Sequence, residues 1–143
     1  MARGAGAALE LLTLRRAPGA RSAGSWETVH GTIEPGETPV AAARRELAEE
    51  TGFVPERLYN LSRVESFYLH KLDRVVQGPG FVAFVAPDRE AKLGDEHDLS
   101  EWLAAEAARA RFAWPRERRA VGDLVTLLGG GDAGPLEDVL RVG

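Results

Sequence analysis

Residues Gly31–Phe53 read GTIEPGETPVAAARRELAEETGF, and the fold follows from how this stretch is read. Glu34-Pro35-Gly36-Glu37 has the composition of a turn. Thr38-Pro39 then starts a helix: a Thr hydroxyl can accept from a first-turn amide, and Pro is tolerated at the first helical position, where an N–H would have no partner anyway. Gly52 stops the helix, because glycine readily takes the left-handed conformation that ends many helices. The prediction is a helix of about three and a half turns over Pro39–Thr51. On it Glu46, Glu49 and Glu50 stand at i, i+3 and i+4 and share one face, while Val40, Ala43 and Leu47 fall on another that can dock against a sheet. Like charges at this spacing destabilise a helix by about 0.2–0.5 kcal/mol per pair. A hard divalent cation such as Mg²⁺ or Mn²⁺ removes the conflict, because it takes several oxygen ligands and can stay hydrated enough to hold a substrate phosphate. An ordinary solvated helix face also carries charge runs, so the spacing of the neighbouring residues has to decide between the two readings.

Gly31, Glu37, the run Arg45-Glu46-Leu47, Glu49-Glu50, Gly52 and the apolar Phe53 provide that decision. At average composition such a set at fixed separations arises by chance roughly once in 10⁸ to 10⁹ start positions. In these residues the chain resembles the Nudix hydrolase superfamily, whose box it matches without a departure. The resemblance implies an α/β fold, an α/β/α sandwich around a mixed β-sheet. It also implies a Mg²⁺-dependent (or Mn²⁺-dependent) hydrolase that cleaves the pyrophosphate bond of a nucleoside triphosphate or another nucleoside diphosphate-linked compound. Glu46, Glu49 and Glu50 match the family's metal-binding glutamates, with Glu46 and Glu50 expected as direct ligands and one of the three expected to deprotonate or orient the attacking water. A backbone carbonyl beside Gly31, here that of His30, is expected to reach the metal. Glu37 and Arg45 match the pair that supports the loop and helix behind the ligands.

Before the helix, Leu9–Arg16 reads as a strand with a basic end, followed by a Pro-, Gly- and Ser-rich loop to Ser25. Trp26–His30 alternates large and polar residues as a half-buried strand does. Beyond the helix, Leu61–Leu69, Arg74–Gln77, Phe81–Ala86 and Ser100–Leu103 read as strands, broken by Gly78-Pro79-Gly80 and Pro87-Asp88. Ala104–Arg111 and Arg116–Leu128 read as helices. Leu14-Arg15-Arg16, Ser25-Trp26-Glu27 and the Glu96-His97 loop with Trp102 extend the resemblance over Leu9–Leu128, toward the branch acting on nucleoside triphosphates and dihydroneopterin triphosphate. Several family members place a further carboxylate on a loop outside the box, which assigns that part to Glu96. His97 reads as a structural histidine rather than a ligand. Arg15 and Arg16 are expected to hold a substrate phosphate, and Tyr68, where ADP-ribose members tend to carry proline, keeps the dinucleoside polyphosphate class open. Trp26, Trp102, Trp114 and Phe112 could stack on a base, though aromatics at such positions more often fill a core.

The whole chain bounds these expectations. Its 143 residues, 44% of them hydrophobic, suit one domain, read as residues 1–128 with a Gly-rich connector and loosely attached tail over 129–143. A net charge of −4 argues against a nucleic-acid polymer as partner and leaves a small nucleotide or pyrophosphate substrate. With no cysteine, thiolate chemistry and Cys-based zinc sites are excluded. No stretch reaches the ~20 apolar residues of a membrane span, and the expected location is cytoplasmic, with no membrane partner. The apolar strand that usually precedes Leu9–Arg16 in the family has only Met1–Ala8 to form it. An incomplete sheet exposes an edge that a second copy could cover as a homodimer. The rivals are a dinucleoside polyphosphate or nucleotide-sugar hydrolase, and a Nudix-fold domain that binds a nucleotide without turning it over.

Overall fold

A computed structural model describes residues 1–143. The helix predicted from the opening stretch, α1, spans Pro39–Thr51; Thr38 is its N-cap, with Oγ1 accepting from the Ala41 amide at 3.2 Å, and Gly52 ends it at φ 69°. Six strands surround it: β1 (Ala2–Arg3), β2 (Glu10–Arg16), β3 (Trp26–Glu27), β4 (Arg57–Leu69), β5 (Arg74–Phe84) and β6 (His97–Ala104). Helices α2 (Ala105–Arg111), α3 (Pro115–Leu128) and α4 (Glu137–Leu140) complete the chain. The strands form one mixed sheet in the order β3-β2-β1-β5-β4, with β6 also paired to β2; the β1–β5 pair is parallel and the others are antiparallel.

Alternation along the strands explains the two layers. In β2, Leu11 belongs to the core shared with α2 and α3, whereas Leu12 and Leu14 belong to the core shared with Leu47 of α1. In β5, Val82 and Phe84 face the first core and Ala83 the second, as a period of two requires. The sheet is thus covered on both faces, and the expected α/β/α sandwich is what forms. On α1 the buried residues are Ala42, Leu47 and Thr51; Ala43 is only half-buried, because the helix turns its docking stripe slightly from the one predicted. Truncating Leu47 to Ala would remove about 2–5 kcal/mol of stability.

A first strand does form from Met1–Ala8: β1 is two residues long, and Ala2 pairs with Leu11 on one side and Phe84 on the other. Three expectations need correction. Trp26–His30 keeps strand pairing only over Trp26–Glu27, since Thr28 and His30 bond instead to Glu117 of α3. Gly78-Pro79-Gly80 does not break β5. Pro79 sits opposite Val64 beside an irregularity in β4 between Asn60 and Val64, where a residue without an N–H is tolerated. The segment 129–143 is docked rather than loose. Leu140 is buried, Tyr59 Oη lies 3.0 Å from Glu137, Asn60 donates to the carbonyls of Val139 and Leu140, and Arg141 bridges to Tyr59 as an added strand residue. A glycine-rich linker says nothing about the apolar residues after it, and Leu140 and Val142 are what anchor this end.

Beyond the body of the sheet β4 and β5 continue as a two-stranded ribbon. Val64, Tyr68 and Val75 on its outer face are exposed, with Tyr68 opposite Val75. Glu65 and Phe67 turn to the opposite face, toward α3.

Candidate active site

Three segments meet at one end of the sheet around a cleft of about 310 Å³ with no hydrophobic lining residue. They are His30–Thr32, the glutamate face of α1, and Gly94–His97. The glutamates face the cleft because the apolar stripe of α1 is fixed against Leu12, Leu14 and Phe53, which leaves Glu46, Glu49 and Glu50 no other direction. The chain after α1 returns to it: Lys92 and Gly94 donate to the carbonyls of Thr51 and Glu50 at 2.9 and 3.2 Å. Those two bonds bring Glu96 and His97 to the cleft.

Gly31 lies so close to Glu46 that a β-carbon there would overlap the Cγ, Cδ and Oε1 of that side chain. The carboxylate is held by the Thr32 amide at 3.1 Å and by Arg45 at 2.8 Å. Arg45 also grips Glu37 through two hydrogen bonds of 2.9 and 3.1 Å, reaches Glu49 at 3.3 Å and donates to the Thr32 carbonyl. One guanidinium therefore ties the turn to three carboxylates. The hydrogen bonds from Arg45 and then from the Glu34 amide hold the Glu37 carboxyl below its usual range.

Glu50 differs from its neighbours. Its side chain is only 12% exposed, its Oε2 is buried with no hydrogen-bond partner, and the nearest basic group, Nδ1 of the buried His97, stands 3.7 Å away and is itself unpartnered. Burial, reinforced by the negative charges of Glu96, Glu46 and Glu27, pushes its carboxyl up to about 8. An orphaned buried carboxylate oxygen among other carboxylates is what a cation ligand looks like before the cation is in place. The donor set, all oxygen plus imidazole, suits a hard divalent ion. The fit has a condition: no three of these groups converge on a common point as they lie, because Arg45 draws Glu46 and Glu49 aside. Glu49, at 60% exposed, is the carboxylate of the three with most freedom to turn toward the others.

The sequence-predicted residues divide clearly. Glu46, Glu49, Glu50, Glu96 and His30 line the cleft, with Gly31 between them and Glu37 and Arg45 directly behind. Arg15 and Arg16 are not free to take a phosphate: Arg15 forms a bidentate pair with Asp98 at 2.9 and 3.0 Å, and Arg16 bridges Glu27 at 2.9 Å and Glu96 at 2.7 Å. Arg16 instead positions Glu96 at the mouth of the cleft. Tyr68 lies outside the cleft on the ribbon, bonded to Asp73 at 2.8 Å. Phe112 is core, Trp102 packs edge-on against Phe53 at 6.1 Å, and Trp26 carries Arg111 over its ring at 4.5 Å.

Two carboxylates went unassigned at the sequence level. Glu27, 5% exposed, joins Arg16 to His97 (3.3 Å); burial raises its carboxyl, but the His97 hydrogen bond and the charges of His30 and Arg16 outweigh burial and hold it low. Glu117, 4% exposed, accepts from the Thr28 amide and meets His30 Nε2 at 2.7 Å, which aims the chain into Gly31. A signal for Glu117 existed: it stands on the same helical stripe as Val121, Leu124 and Leu128, where a charge needs a buried partner.

Comparison with known proteins agrees with this geometry. The family model described as the NUDIX domain matches residues 2–124. A curated Myxococcus xanthus protein named octanoyltransferase is 37% identical over 122 residues, a match that takes in 83% of this chain but 33% of that protein, so the chain spans about a third of that relative's length. Among solved structures, the E. coli dihydroneopterin triphosphate pyrophosphohydrolase is 25% identical with a TM-score of 0.69, covering 87% of this chain and 91% of that one. A MutT protein from Methanosarcina mazei Go1 is 28% identical with a TM-score of 0.65, covering 79% and 80%. A C. elegans Ap4A hydrolase reaches a TM-score of 0.73 over 90% and 93% at 21% identity, a likeness of fold alone. With the family model spanning nearly the whole sandwich and the box carboxylates gathered on one cleft, the chain belongs to the Nudix hydrolase superfamily.

Proposed function

We propose that the chain hydrolyses the pyrophosphate linkage of a nucleoside triphosphate or another nucleoside diphosphate-linked compound, with Mg²⁺ or Mn²⁺ held by Glu46, Glu49, Glu50 and the His30 carbonyl. The observation that carries this is the unpartnered buried Oε2 of Glu50 within a cleft lined by Glu46, Glu49 and Glu96. Such a cation supplies neutralisation of the pyrophosphate oxygens and a polarised water.

The rest is done by the chain. Arg45 fixes the helix and turn so that the carboxylates share one face. Glu96, held by Arg16, stands across the cleft, where it or Glu49 orients the water and takes its proton. The water oxygen bonds to phosphorus as the bridging P–O bond breaks, and the electron pair leaves with the departing phosphate. No covalent intermediate is needed. The name of the M. xanthus relative describes a longer protein, and the carboxylate cleft supports hydrolysis rather than acyl transfer.

The test is release of phosphate and pyrophosphate, with and without Mg²⁺, from nucleoside triphosphates, dihydroneopterin triphosphate, ADP-ribose and diadenosine polyphosphates. Metal-dependent release from one class is expected and names the substrate. Release that is indifferent to metal, or none from folded protein, refutes the proposal.

A further inference from the structure

We propose that His97 is a further ligand of the cation, bound through Nδ1 opposite Glu50, and that this nitrogen makes the site hold a transition ion such as Mn²⁺ or Co²⁺ more tightly than Mg²⁺. The inference rests on the reading of the cleft as a cation site and not on what the site hydrolyses.

Two constraints place the ring. β6 begins at His97, in register with Arg16 of β2, and the Gly94 amide ties the preceding loop to the Glu50 carbonyl at 3.2 Å. His97 is 4% exposed, so its ring nitrogens need partners within the protein. Nε2 has one, Glu27 Oε1 at 3.3 Å. Glu27 is paired with Arg16 at 2.9 Å and stands as a carboxylate, which only accepts, so Nε2 carries the hydrogen and Nδ1 of the neutral ring presents a lone pair. That lone pair faces Glu50 Oε2 at 3.7 Å, and neither atom has a hydrogen-bond partner.

Two buried acceptors that face each other are costly unless something positive joins them. Their separation is too long for a hydrogen bond. An ion with bonds of about 2.1 Å reaches both, since twice that length exceeds the gap. Both residues line the cleft. The hold on the far side of the ring also fits: a metal-bound histidine commonly donates its other N–H to a carboxylate, which fixes the tautomer and makes the ligating nitrogen more basic, and Glu27 is that carboxylate. The other histidine of the cleft is placed differently, because the His30 ring meets Glu117 through Nε2 at 2.7 Å and only its carbonyl is assigned to the cation. Oxygen donors suit Mg²⁺, whereas imidazole suits the transition ions and binds Co²⁺ more strongly than Mn²⁺. One nitrogen among the carboxylates therefore sets the order of metals.

The experiment loads the full chain with Mn²⁺ alone and reads pulsed electron paramagnetic resonance. Modulation from a directly bound nitrogen is expected, and it should move to the ¹⁵N frequencies when histidine is the only labelled residue. It should persist in His30→Gln and vanish in His97→Gln. The labelled wild type needs no substitution, so histidine ligation is read even if His97→Gln fails to fold. In calorimetry with each metal alone, His97→Gln should bind Co²⁺ at least about tenfold more weakly and Mg²⁺ within about threefold of wild type, a difference that a merely structural histidine would not confine to one metal. Bound Mn²⁺ without a histidine signal, or with one that survives in folded His97→Gln, overturns the proposal and leaves the cation reading standing. No Mn²⁺ binding by wild type overturns both. Ligation by His97 in a chain that shows no metal-dependent turnover upholds the ligand and refutes the hydrolase reading.

Discussion

Replacing Gly31 by alanine tests whether the close approach of strand and helix sets the carboxylate geometry. The backbone at Gly31 does not require glycine, since its φ is not positive; the obstacle is that the new methyl would occupy the space of the Glu46 Cγ, Cδ and Oε1. Glu46 must then swing away, and the bonds from the Thr32 amide at 3.1 Å and from Arg45 at 2.8 Å are lost or weakened. Hydrogen bonds to a charged group contribute about 1.5–3 kcal/mol each when buried, and less in a half-exposed site such as this. A net loss of about 1–2 kcal/mol is expected, which lowers Tm by roughly 2–8 °C in a chain of this size. The effect on function should be larger, because misplacing a group that supports a metal site typically costs about 10–100-fold in metal affinity or activity. The assay is a thermal melt alongside Mg²⁺ titration of turnover in Gly31→Ala. A folded variant with wild-type turnover and an unchanged Mg²⁺ midpoint would refute the argument that Gly31 is kept small for Glu46.

Other perturbations follow from the same contacts. Arg16→Ala should lower turnover about tenfold or more by releasing Glu96 and should also lower Tm, because it leaves the buried Glu27 without its guanidinium; Glu96→Gln should match the loss of turnover, because the two side chains act as a unit, and strictly additive losses of turnover in the double variant would contradict this. Leu140→Ala should cost about 2–4 kcal/mol and expose the amides of residues 137–143 to rapid hydrogen exchange, whereas a loosely attached tail would exchange rapidly in wild type already. The backbone amide of Ala133, then Tyr59 and Arg141, hold the Glu137 carboxyl below its usual range. Its contribution is therefore present above the unfolded-state value near 4.5 and is lost as pH falls through the lower folded value. Protection of the tail should decline in acid in wild type and be flatter with pH in Glu137→Gln; identical profiles would remove Glu137 as the cause.

Much of this site was legible because it is local. Thr38-Pro39 and Gly52 bound a helix whose limits coincide with those observed, and within one helix the spacing of Glu46, Glu49 and Glu50 dictates a shared face whatever the rest of the fold does. The long-range pairs were not legible. Arg15 and Arg16 read as free phosphate ligands because nothing in the local sequence reveals that Asp98 and Glu96, some eighty positions away, arrive beside them when β6 pairs with β2. The docked C-terminus was missed for the same reason: its anchors are Tyr59 and Asn60 on β4, while the glycines before it spoke only of chain flexibility. Glu117 could have been found, because a charge on the buried stripe of α3 calls for a partner.

Glu50, buried and with its Oε2 unpartnered, stands in this reading as a cation ligand on which hydrolysis depends. Measuring phosphate and pyrophosphate release in wild type and Glu50→Gln, across Mg²⁺ concentrations with the best substrate of the panel, tests it directly. Metal-dependent turnover is expected in wild type, and its loss by about 10³-fold or more in a variant that melts no lower than wild type, since neutralising a buried carboxyl whose Oε2 has no partner does not destabilise the metal-free fold. Near-normal, metal-dependent turnover in Glu50→Gln would contradict the assignment.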